Sequence, residues 1–180
     1  MANNRIIMTV GRIFESASKP LQGAVFAVDL ATGDRTLLSG AANDPAKGVS
    51  RVSTGPDLGK AFNVQPSPDG SWYVYSELGV GTVPEATSHP MITKLNPATG
   101  VREQQWDLST FDKCPITSGI AIAKDGSIYG ISGSAEEALN GIAKIDLVAK
   151  KCAILSGPTV GSGVDIGRDM GSLIFEQGAL

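Results

Sequence analysis

One side chain in this sequence titrates near neutrality unaided: His89 is the only histidine. An imidazole can take up and return a proton in that range, so His89 is the candidate general base for a lactonase-like or lyase-like site. It precedes Pro90 in the polar stretch ELGVGTVPEATSHP (77–90), where a solvent-exposed role is the expectation and the general base the alternative. Around it, Glu77, Glu85 and Asp112 are candidate binding residues, with Asp57 and Asp165 as further loop carboxylates. Calcium asks for six to eight oxygen ligands. These carboxylates come from different parts of the chain without a calcium-loop spacing. Solvated charges or turn-forming Asp residues are the expectation, so no metal site is assigned, with a divalent cation such as calcium as the alternative.

Other chemistries are thinly represented. Cys114 and Cys152 are not in a metal-ligand spacing, and one His cannot complete a zinc set. The two thiols can form a disulfide in an oxidising compartment, but buried free cysteine is the expected state. No G-x-S-x-G nucleophile elbow occurs. TGPDLG (54–59) and SGVDIG (162–167) are glycine-rich, yet lack the Lys and helix that a phosphate loop requires. They read as linkers. Trp72 and Trp106 fall within expected strands and are assigned to packing rather than sugar stacking. SAEEAL (134–139) is expected to add a helical turn.

The elements that must position these residues are short strands. The chain carries 22 glycines, 10 prolines and 18% charged residues, a composition of strands and tight turns rather than long helices. GAVFAVDLATGDRTLLSG (23–40) alternates apolar and polar residues, turns at a polar link, and alternates again. The shape returns from Met91 in MITKLNPATGVREQQWDL and from Gly141 in GIAKIDLVAKKCAILSG. Gly33 and Gly100 suit a positive φ in the link. Lys150 stands there in the third copy, and a changed turn is expected. Before the second and third copies, Asp69-Gly70 and Asp125-Gly126 divide strand-forming runs, a strong hairpin signal.

Labelled a to d, the strands are as follows. The first unit holds b (Arg5–Val10), c (Gly23–Asp29) and d (Arg35–Ser39). The second holds a (Ala61–Gln65), b (Trp72–Ser76), c (Met91–Leu95) and d (Val101–Leu108). The third holds a (Gly119–Ala123), b (Ser127–Ser132), c (Gly141–Asp146) and d (Lys151–Leu155). Residues near Ser172 to Gln177 are expected to supply the missing first strand.

IAKDGSIYG followed by IAKIDLVAKKCAILSG resembles the blades of the propeller superfamily that holds NHL-repeat, strictosidine-synthase-like and gluconolactonase-like (SMP-30-like) proteins. The resemblance implies an all-β fold of about three four-stranded antiparallel β-propeller blades within a single domain, 1–180, the first blade completed by the C-terminal strand. Rings usually have about four to eight blades, so completion by a second chain or by further sequence is expected. A homo-oligomer of two arcs is the preferred form. The gluconolactonase-like likeness would bring an axial divalent metal, for which no matching motif occurs here.

Formal net charge is −3 without a basic block, which argues against nucleic acid as a partner. No apolar run reaches membrane-spanning length. The chain reads as soluble, extracytoplasmic if a leader has been removed and otherwise cytoplasmic. Strong repetition beside sparse chemistry makes a non-catalytic module, binding a small molecule or a protein at one face or serving as scaffold, the leading expectation. A propeller enzyme of lactonase or lyase type and a structural subunit of a larger assembly are the alternatives.

Overall fold

The computed structural model describes residues 4–11, 23–40, 53–80, 87–133 and 140–162. Those residues form strands without an α-helix. β1 (Arg5–Val10), β2 (Ala24–Asp29) and β3 (Arg35–Gly40) make the first antiparallel sheet. β4 (Lys60–Pro66), β5 (Trp72–Val80), β6 (Thr87–Leu95) and β7 (Arg102–Asp107) follow in order as the second. β8 (Ile116–Ile122), β9 (Ile128–Ser132), β10 (Gly141–Asp146) and β11 (Lys151–Ser156) make the third. The strands expected within the described residues are present, so the all-β reading holds. The expected C-terminal strand near Ser172 to Gln177 and the helical turn at 134–139 lie outside the described residues.

The turns repeat as closely as the strands. Asp29, Asn96 and Asp146 each accept two backbone N–H groups through one side-chain oxygen: from Ala31 and Thr32, from Ala98 and Thr99, and from Val148 and Ala149. This Asx geometry holds the link between third and outer strand in every sheet. The changed turn expected at Lys150 does not occur: Lys150 takes φ 51°, beside 75° at Gly33 and 70° at Gly100. The Asp146 acceptor and the flanking strand pairing impose the left-handed conformation on a residue that resists it. The Asp-Gly hairpins are likewise twins. Ser67 pairs with Ser71 and Ala123 with Ser127 across three-residue loops, with Gly70 and Gly126 both at φ 82° and Asp69 and Asp125 accepting from the Ser N–H two residues on.

Strand alternation decides what each sheet faces. In β5, Trp72 and Val74 turn toward the first sheet and pack with Leu95 against Val25, Ile7 and Leu38. Tyr73 and Tyr75 turn the other way and join Ile92 and Trp106 against Ile120, Ile128, Ala143 and Ile145 of the third sheet. The second sheet is thus apolar on both faces and buried on both. β4 lies between β1 on one side and β8 on the other. Its Asn63, at a bulge, donates to the Ile120 carbonyl (2.7 Å) and accepts from the Ile120 N–H (3.4 Å). The Tyr75 hydroxyl donates to the Ile116 carbonyl at 3.1 Å, and burial pushes it well above the usual tyrosine range.

The linkers run across the outer edges. Between β3 and β4, residues 53–57 lie along β7: Arg102 N–H donates to the Thr54 carbonyl (2.9 Å) and Gln105 Nε2 to the Asp57 carbonyl (2.7 Å). The Arg102 guanidinium, only 2% exposed, completes the junction. It donates to Ser39 Oγ (2.7 Å), Ser53 Oγ (3.3 Å), the Pro56 carbonyl (2.5 Å) and the Gly55 carbonyl (3.3 Å). Between β7 and β8, the linker lies along β11 in the same way. Asp112 accepts from the Cys152 N–H and donates its own N–H to the Lys150 carbonyl. Cys114 and Cys152 are joined in a disulfide, with Cα atoms 4.9 Å apart. This overturns the expectation of free thiols: the linker delivers Cys114 against the outer strand, a proximity that the separation of the two residues in sequence conceals.

Two outcomes follow. Arg102→Ala leaves Ser39 and the two linker carbonyls without their donor and is expected to lower unfolding free energy by about 3 kcal/mol, read as a shifted urea midpoint. Lys150→Gly removes left-handed strain and is expected to raise stability by about 1 kcal/mol in the same assay.

Candidate functional site

His89 lies in β6 and not in a loop, because the β5–β6 hairpin continues to Val80 and Thr87. Alternation in this extension pairs Leu78 with His89 and Glu77 with Pro90. β7 ends at Asp107 opposite Met91, so at Pro90 the strand has one paired neighbour, where a proline is accommodated. Two residues beyond Met91, His89 shares the face of Met91 and Asp107. Its Nδ1 meets Asp107 Oδ2 at 2.7 Å, with side-chain exposures of 29% and 28%.

Asp107 is held from several directions. It caps the 3₁₀ turn Leu108–Thr110, accepting from the Ser109 N–H (2.9 Å) and the Ser109 hydroxyl (2.6 Å) at Oδ1, while its carbonyl accepts from Thr110 Oγ1. Burial, the largest single influence, pushes the Asp107 carboxyl upward. The Ser109 hydroxyl, the His89 ring and the Ser109 N–H together outweigh it and leave the carboxyl below its ordinary value.

His, Asp and Ser therefore come together, but not as a nucleophilic triad. In such a triad the carboxylate holds one ring nitrogen and the serine faces the other. Here Ser109 Oγ approaches Nδ1, at 3.3 Å, the same nitrogen that engages Asp107. Its hydroxyl proton is directed to Asp107 Oδ1. Serine activation has no path in this geometry. The cluster fastens the end of β6 to the turn after β7.

The other candidates are dispersed. Glu77, by strand alternation, is on the face opposite His89. Asp112 is exposed, and its backbone makes the linker bridge to β11. Glu85 and Asp165 lie outside the described residues. Among the described residues, no group of three or more His, Cys, Asp or Glu side chains converges as a metal site, and no helix is long and apolar enough to cross a membrane. Neither Arg102 nor Asp107 stands out by motif. The available signals were the repeated ATG-x-Arg at 31–35 and 98–102 for Arg102, and the Asp-x-Ser cap before Thr110 for Asp107.

Fold and site together define a class: an all-β protein of antiparallel sheets joined by edge-crossing linkers. No family model matches the sequence, and no curated protein or solved structure does either.

A carboxyl with a pKa lowered by folding stabilises the native state above its unfolded value and loses that contribution as pH falls through the folded value. The stability advantage of the native protein over Asp107→Asn is accordingly expected to be greatest near neutrality and to shrink below about pH 4, measured as urea midpoints across pH.

Proposed function

We propose that this chain is an arc of β-propeller-type blades that works as a non-catalytic binding or scaffold module. The observation that carries the reading is the middle sheet, covered on one face by the three-stranded first sheet and on the other by the four-stranded third, with its first strand β4 flanked by β1 and β8. Adjacent blades of a propeller pack in this manner, first strands gathered inward and linkers passing outside. The arc is completed as a ring by a second copy of the chain. Its ligand, a small molecule or a protein segment, binds at one face of that ring, where the loops between strands gather.

The chemistry supports binding over turnover. The sole histidine engages Asp107 and Ser109 through Nδ1, and Glu77 and Asp112 stand apart from it. The second reading, a lactonase- or lyase-type enzyme, draws on the His89–Asp107 pair, since a carboxylate can orient an imidazole as a base. Metal analysis of the purified protein, followed by a lactone panel on the native chain and His89→Ala, separates the two. The expected outcome is no metal-dependent turnover in either. Turnover that requires a divalent metal and is abolished in His89→Ala would establish the enzyme reading instead.

A further inference from the structure

The second and third sheets are fastened to the linkers that lead into them at one equivalent position. Counting from the Asx residue of each link, Arg35, Arg102 and Cys152 occupy the same place in the outer strand, and the cross-strand pairs Val28–Arg35, Leu95–Arg102 and Ile145–Cys152 confirm the equivalence. In the second sheet this residue clamps the incoming linker by hydrogen bonds. In the third it does so through the disulfide. In the first sheet Arg35 is exposed.

The apolar residues beside it are in the same condition. Trp72, Val74 and Leu95 of the second sheet correspond by register to Ile6, Met8 and Val28 of the first. Val74 and Leu95 are fully buried against the first sheet, whereas Ile6 and Met8 are 52% and 39% exposed. The first sheet thus presents the face that in its two successors receives a preceding sheet.

The third sheet presents the complementary face. Leu155-Ser156-Gly157 stands where Leu38-Ser39-Gly40 stands in the first sheet, and it is Ser39 that accepts from Arg102. Leu38 packs at the junction while Leu155 is 47% exposed. Beyond it, Gly161 lies beside Ser156, a Cβ at that glycine falling 3.8 Å from Ser156 Oγ. Ser53, its counterpart, lies 3.3 Å from Ser39 Oγ. The chain then continues as SGVDIG (162–167), matching TGPDLG (54–59).

We infer that the third sheet of one chain receives the first sheet of a second copy, with Arg35 donating to Ser156 as Arg102 donates to Ser39. The inference rests on the arc reading above and names the faces and residues by which two copies join. The contact is head-to-tail, and because the two ends of each chain are complementary, two copies close on each other by a two-fold axis into six sheets. Three sheets alone fall short of the about four that a ring needs.

Analytical ultracentrifugation of the native chain at tens of micromolar, with Arg35→Glu and Ser156→Arg as variants, tests it. The native chain is expected to sediment at twice the 18.6 kDa chain mass, and each variant to weaken association by more than about tenfold while keeping the native far-ultraviolet circular dichroism. A native monomer, any other stoichiometry, or a two-chain species indifferent to both substitutions overturns the docking. Small-angle scattering on the same samples distinguishes the levels. A two-chain ring supports both readings, an arc-shaped monomer overturns the docking and the two-chain ring while leaving the arc of blades, and a compact monomer overturns the arc as well.

Discussion

The architecture depends on fastening each linker across the outer edge of the sheet it leads into. A stack of separate sheets has no continuous hydrogen-bond ladder from one to the next, so apolar burial supplies attraction without register. Direction comes from the second residue past the link. Arg102 provides it with a planar fork of donors that reaches Ser39 on one sheet and two carbonyls of the linker, geometry that a lysine cannot reproduce. At the next junction the same position is Cys152, bonded to Cys114 38 residues earlier. Closing a loop of that size restricts the unfolded chain by about 3 to 4 kcal/mol in the chain-entropy account. One junction is thus fixed by satisfying a buried charge, the other by a covalent tie, and both also cover an outer strand whose open edge would otherwise invite pairing.

The strands were legible because two signals coincided. Alternation marked the runs and polar links marked their ends, as at Val25–Asp29 and at Asp69-Gly70, where local preference and the final pairing agree. Legibility failed where tertiary contacts overrode local chemistry. Lys150 kept the turn of its glycine counterparts because Asp146 and the paired strands left it no alternative. The stretch from Glu77 to Val80 extended β5 because Thr87–Pro90 lay alongside it, which neither segment announces alone. The cysteine pairing was illegible for the same reason: it depends on the path of a linker.

The candidate site shows how residue type and role can separate. His89 was singled out by its chemistry, and it does have a carboxylate partner. That partner is in another strand and is committed to capping a 3₁₀ turn. Cross-strand placement put His89 on the face of Asp107 and Glu77 on the opposite one, a division made by the two-residue period of the strand rather than by closeness in sequence. His89 Nδ1 is thereby engaged with Asp107 and Ser109 at the end of the sheet.

The junctions between the sheets also differ from one another in their chemistry. Arg102 and Leu38-Ser39-Gly40 meet at the junction between the first and second sheets, and the same residue types stand at Arg35 and at Leu155-Ser156-Gly157. The junction between second and third sheets departs from this pattern, with Cys152 in place of the arginine and Trp106 in place of the serine. The chain therefore has two kinds of joint, an arginine clamp between the first and second sheets and a disulfide tie between the second and third. Arg35 matches Arg102 and Leu155-Ser156-Gly157 matches Leu38-Ser39-Gly40, whereas the disulfide joint uses neither pattern. Specificity of this kind comes from mismatched joints as much as from matched ones.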